Sequence, residues 1–105
     1  MARFDVFRNP STATRKQFPY VVDVQSPYLD ELATRIVIPL GKASLFKDTA
    51  MKGLTPELAF QDERLLLLTP QISAIPKKRL NAPIGSLSHM RNDMLNALDF
   101  AIFGV

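Results

Sequence analysis

The sequence has no cysteine. That absence excludes a disulfide scaffold, a cysteine-ligated zinc site, an iron–sulfur cluster and a thiol nucleophile. It also fits a reducing, cytoplasmic setting. There is one histidine, so a histidine-rich metal site and a multi-histidine proton relay are excluded within one chain. No apolar run approaches the ~20 residues of a membrane span. The start, Met1-Ala2-Arg3-Phe4-Asp5, lacks the apolar core of a signal peptide. There is no P-loop, dinucleotide fingerprint or EF-hand pattern, and no internal repeat or low-complexity tract. The expectation is a chain with no metal, no cofactor and no membrane partner.

What is present suits one small domain over residues 1–105. The chain has a mass of 11.8 kDa. Surface scaling gives roughly 11,000 Å² buried on folding, about 65% of the unfolded surface, so a core forms without staples. The 47% apolar and 22% charged fractions are those of a globular protein. The net charge is +3. Eight basic and five acidic residues lie up to Lys52, and five of each follow. The excess is mild and spread out, unlike the basic stripe of a nucleic-acid binder.

Four glycines and eight prolines punctuate a series of short strand-like segments. Phe4-Asp5-Val6-Phe7 begins the first. Asn9 to Lys16 is polar and turn-rich, the pattern of a loop tip. Tyr20 to Gln25 is a β-branched run, ended by Ser26-Pro27. Arg35-Ile36-Val37-Ile38 is a third strand, which Pro39 is expected to close. Ser44 to Lys52 suits a short helical turn before Gly53. Leu58-Ala59-Phe60 and Leu65 to Leu68 flank Gln61-Asp62-Glu63-Arg64 as a hairpin would. Ile72 to Ile75 ends at Pro76, and Lys77 to Gly85 is a basic connector. This pattern predicts a small antiparallel barrel or sandwich.

The last segment has a different period. Ser88 is the expected N-cap, and no glycine or proline interrupts His89 to Phe103. Met90, Met94, Ala97, Leu98 and Ala101 fall on one arc of ~100°, a core stripe. The fold class is therefore α+β, mainly β, with one C-terminal helix. Asn92, Asn96, Asp99 and Phe103 form the opposite face, with Phe100 at its edge. An aromatic ring on that outer face, followed by Gly104-Val105, has the anatomy of a binding hot spot. Three plainer readings stand beside it: a single exposed apolar residue, a frayed helix end, or a ring packed in a homodimer interface.

Catalytic patterns are weak. Ser86, Ser88 and Asp93 lie near His89 in sequence, yet none sits in a nucleophile elbow. A solvated or structural His89 is the plainer reading. Asp62-Glu63 and Asp30-Glu31 read as solvent-facing charge. Lys77-Lys78-Arg79 reads as a solvated loop able to touch phosphate or an acidic partner.

The order of several segments is specific where no single one is. Val22-Asp23-Val24-Gln25-Ser26, Arg35-Ile36-Val37-Ile38-Pro39-Leu40, Ser88-His89 with Asn92-Asp93, and the Phe103-Gly104-Val105 end together resemble the CcdB family of plasmid-addiction toxins. The likeness runs nearly end to end. It implies a homodimer on an SH3-like antiparallel barrel with a C-terminal α-helix, the fold shared with MazF/PemK-type ribonuclease toxins. It implies a toxin that is not an enzyme. Such a toxin binds the DNA gyrase A subunit and traps the gyrase–DNA cleavage complex. A CcdA-type antitoxin neutralises it, and the toxin–antitoxin complex represses its own operon, touching operator DNA only through that complex. The gyrase-binding residues so implied are Phe103, Gly104, Val105, Asp99, Asn96, Asn92, Ser26 and Tyr28.

Three positions depart from the familiar family pattern. Phe103 stands where tryptophan is familiar, keeping a flat face but losing the indole donor. Asp99 replaces an amide with an acceptor-only charge. Tyr28-Leu29 replaces a β-branched aliphatic pair. These departures bear on affinity and partner range. Two alternatives remain at this level. One is a ribonuclease toxin of the MazF/PemK type using Arg15, Arg35 or Arg64, although no persuasive base accompanies them. The other is a non-toxic homologue that only binds antitoxin.

Overall fold

A computed structural model describes residues 2–104. The strands are β1 (Asp5–Arg8), β2 (Tyr20–Asp23), β3 (Thr34–Lys42), β4 (Glu57–Phe60), β5 (Glu63–Leu67), β6 (Ser73–Pro76) and β7 (Gly85–Ser86). Helix α1 (Ala43–Phe46) follows β3, and α2 (Arg91–Phe103) ends the chain. The strands form one antiparallel sheet in the order β4-β5-β3-β2-β1-β7, with β6 also paired to β3. The sheet curls into a half-barrel, and the C-terminal helix covers part of it.

The curl brings the two ends of the strand order together. Phe60 lies in β4 and Gly85 in β7, at opposite ends of the strand order. A β-carbon at Gly85 would stand 2.6 Å from Phe60 Cε1, so only glycine admits the ring this close. Tyr20 meets the same ring edge-on, with centroids 5.2 Å apart. The main core lies inside the curl. It joins Phe4, Val6, Val22, Ile38, Leu40, Leu58, Leu65, Leu67 and Leu87 to Met94 and Ala97 of α2.

β3 is longer than expected because Pro39 does not close it. Residues 34–37 pair with β6 and residues 40–42 with β5 along the same edge. Pro39 falls between the two partners. Its carbonyl accepts from Leu68 N at 3.0 Å, so its nitrogen faces that same gap, where no ladder donor is needed. β2 is shorter than the sequence suggests and ends at Asp23, although Val24 N still donates to Ile36 O (2.9 Å). The hairpin is tighter than expected. Phe60 pairs with Glu63, and Gln61 and Asp62 turn the chain with φ of 50° and 64°, the geometry of a two-residue primed turn. The expected helical turn after Ser44 is α1 with a 3₁₀ turn at Lys47–Thr49.

The helix departs from expectation at both ends. Ser88 is not an N-cap: Ser88–Met90 form a 3₁₀ turn and α2 begins at Arg91, with no side-chain cap. Ser88 N is instead taken up by Ser86 Oγ at 3.2 Å. Met94 and Ala97 are fully buried, and Met90 and Leu98 pack partly against the core. Ala101 is exposed although it lies on the stripe. The reason is reach: every described residue from Asp99 onward is exposed, so the last turn has no sheet beneath it.

Candidate partner-binding surface

The helix end is built by that lack of cover. Phe103 is 73% exposed, and Ile102 and Phe100 are exposed beside it. Gly104 takes a left-handed φ of 74°, and its N–H donates to Phe100 O at 3.0 Å. This is an αL cap, which holds Phe103 inside the helix rather than in a frayed tail. Asn92, Asn96 and Asp99 are exposed along α2. Asn96 also lines, with Asp93, a cleft of about 460 Å³ against Met51, Gly53, Thr55 and Glu57. Val105 lies outside the described residues.

The second cluster lies on the loop between β2 and β3. Ser26 starts a 3₁₀ turn at Pro27–Leu29, and its Oγ accepts from Tyr28 N at 3.3 Å. Tyr28 is 95% exposed, and Leu29 and Leu32 are exposed with it. Backbone bonds tie the root of this loop to the approach of α2. Phe4 N donates to Asp23 O (2.6 Å), and Leu87 N donates to Phe4 O (2.8 Å). Phe4 holds this place with a positive φ of 74°, a strain that burial and both bonds sustain. Ser26 and Tyr28 are thus brought together on one loop. Phe103 lies about 18 Å along the helix axis from Arg91 at the helix rise.

Beneath the loop lies a charge cluster that sequence reasoning missed. Arg35 and Asp23 are fully buried. Arg35 Nε donates to Asp23 Oδ2 at 2.8 Å, and Nη1 donates to Asp30 Oδ1 at 2.8 Å. Nη2 also stands 2.6 Å from Asp23 Oδ2, off the line of a directed hydrogen bond. Asp23 Oδ1 accepts from Gln25 N, and the Gln25 side chain links Leu29 O to Ile36 N. Burial pushes the Asp23 carboxyl above its ordinary value, and the Gln25 N–H and Arg35 pull it partly back. The Arg35 hydrogen bond holds Asp30 below its ordinary value. Asp30 is therefore not simple solvent-facing charge. A charged residue inside an otherwise β-branched run, Arg35-Ile36-Val37-Ile38, was the available signal, because a buried guanidinium demands carboxylates.

The other candidates are accounted for locally. Arg35 has no surface with which to reach a phosphate. Arg64 pairs with Glu57, and Arg15 Nε donates to Asn9 O. Asn9 is itself buried and organises the loop after β1, which the sequence presents as merely polar. His89 is exposed on the 3₁₀ turn. Among the described residues, no group of three His, Asp or Glu side chains could hold a metal ion. No helix among them is long and apolar enough to cross a membrane.

These features define a class: a curled antiparallel half-barrel with a C-terminal helix whose outer end carries exposed aromatic surface. A family model described as CcdB protein matches residues 3–104. The chain belongs to the CcdB family, whose members are toxins of toxin–antitoxin systems and are not enzymes.

Proposed function

We propose that this chain poisons DNA gyrase. It binds the gyrase A subunit and traps the enzyme on cleaved DNA. A CcdA-type antitoxin neutralises it, and the two together repress their operon. Family membership over residues 3–104 carries this reading. The exposed Phe103 at a capped helix end supplies a contact that the core does not use.

The working surface is Phe103, Gly104 and Val105 with Asp99, Asn96 and Asn92 on the helix, together with Ser26 and Tyr28. The active species is a homodimer. Gyrase A opens and closes a protein gate across a two-fold axis, and a two-fold toxin can touch both sides of it. Binding only the open gate shifts the equilibrium toward open, so resealing fails. The toxin's residues need supply no chemistry; they supply differential affinity for one gate state.

The test is a plasmid cleavage assay with purified gyrase, ATP and either the full chain or one lacking residues 103–105. Linear DNA after detergent and protease, with the full chain alone, is the expected result. No cleavage by a gyrase that the chain binds would leave an inhibitor, not a poison.

A further inference from the structure

Three polar side chains from outside residues 26–33 converge on the backbone and one carboxylate of that loop. Gln25 Nε2 donates to Leu29 O at 2.7 Å, Lys77 Nζ donates to Asp30 O at 3.2 Å, and Arg35 Nη1 donates to Asp30 Oδ1 at 2.8 Å. The opposite end of the Gln25 amide accepts from Ile36 N at 2.9 Å, so that side chain is a strut between loop and sheet. Meanwhile the loop's apolar side chains give the core little. Tyr28, Leu29 and Leu32 are 95%, 42% and 49% exposed. Neutralising Arg35 needs only Asp23, which is fully buried beside it. The bond to Asp30, whose side chain is 46% exposed, reaches beyond that need.

We propose that Arg35 is a positioning residue: its buried guanidinium, anchored to Asp23 in the sheet, holds the loop through Asp30 so that Tyr28 and Leu29 form a preformed apolar contact. The inference rests on the reading that this loop meets gyrase. A short loop of exposed side chains has many conformations when free, and ordering it at the moment of binding weakens affinity. Tethering it to a buried group moves that entropic cost into folding. The tether comes from inside the sheet, so it stays out of the partner's way.

The test compares the full chain with D30N, K77M and Y28A by amide hydrogen exchange and by affinity for a gyrase A fragment. D30N keeps the buried Arg35–Asp23 pair and removes the charged leg to the loop. The amides of Leu29 and Leu32, bonded to Ser26 O and Leu29 O, should then exchange about tenfold faster, as expected of a local opening. Those of Val22 and Ile38 in the sheet should not change. Affinity should fall by about tenfold through lost preorganisation. K77M, which removes a separate tether, should move both readouts in the same direction and by less. Y28A should weaken binding and leave exchange alone. Unchanged loop exchange in D30N overturns the positioning role. So does faster exchange throughout the sheet, which reduces the network to ordinary stability. Faster loop exchange with unchanged D30N affinity, while Y28A binds weakly, overturns the claim that loop order aids binding. Unchanged binding by Y28A overturns the contact itself and the positioning claim with it, whatever the exchange shows.

Discussion

Phe103 and Tyr28 are large rings that the core does not use, at 73% and 95% exposure. Removing such a ring costs the fold little. Phe103→Ala should change stability by no more than about 0.5 kcal/mol and should abolish gyrase-dependent cleavage; urea melts and the plasmid assay check the two halves. Gly104 is different. Nothing stands within 4 Å of a β-carbon placed there, so space is not the issue. Its left-handed φ is, and Gly104→Ala should weaken the helix end by about 1 kcal/mol. Arg35→Met should be the costliest of these changes, at roughly 3–5 kcal/mol, because it strands the buried Asp23 carboxylate. A urea midpoint close to that of the unsubstituted chain would show that Asp23 finds another partner.

At the scale of elements, α2 has two functions along its length. Its first two turns pack on the sheet through Met94 and Ala97. Met94→Ala should cost about 2–5 kcal/mol, as buried truncations do. The same helix beyond Leu98 lies outside the core, which is why Ala101 is exposed despite its place on the stripe. A helical wheel reports which side a residue faces, not whether a neighbour is there. The strands were legible for a related reason. β-branched runs such as Tyr20 to Val24 mark a pleated, half-buried surface wherever it lies. The fate of Pro39 was not legible, because it depends on two partner strands, β5 and β6, that meet beside it. Gly85 behaves likewise: its need to be glycine comes from Phe60, a neighbour 25 positions earlier in the chain.

The whole molecule links pH to stability through two carboxylates of opposite sense. Asp30 titrates below its ordinary value, so its contribution is present above the unfolded value of about 3.9 and is lost as pH falls through the lower folded value. Asp23 titrates above its ordinary value, so its contribution is present below the unfolded value and is lost as pH rises through the folded one. Comparing the chain with D30N isolates the first effect. Their urea midpoints should differ by a constant amount near neutrality and converge below about pH 4. A gap that persists in acid would place the Asp30 contribution outside its charge. Assembly is also a property of this scale. Sedimentation should give twice the chain mass at micromolar concentration, as the proposed two-fold engagement of gyrase requires; a monomer that still poisons would end that part of the mechanism.

Local pattern alone determined the strand-rich architecture, the terminal helix and the outward aromatic at Phe103. Periodicity and turn chemistry act over a few residues and are written in the chain itself. Tertiary structure alone decided that Asp30 is ion-paired with Arg35 rather than unpaired surface charge, that Arg35 is buried beyond reach of any substrate, and that the last helical turn stands clear of the sheet. The first two depend on which side chains the β2–loop–β3 unit brings together in space, and the third on where the sheet stops beneath the helix. A guanidinium is buried or exposed according to whether carboxylates come to meet it, and Asp23 and Asp30 reach Arg35 because β2 pairs antiparallel with β3 and the loop between them folds back over the strand.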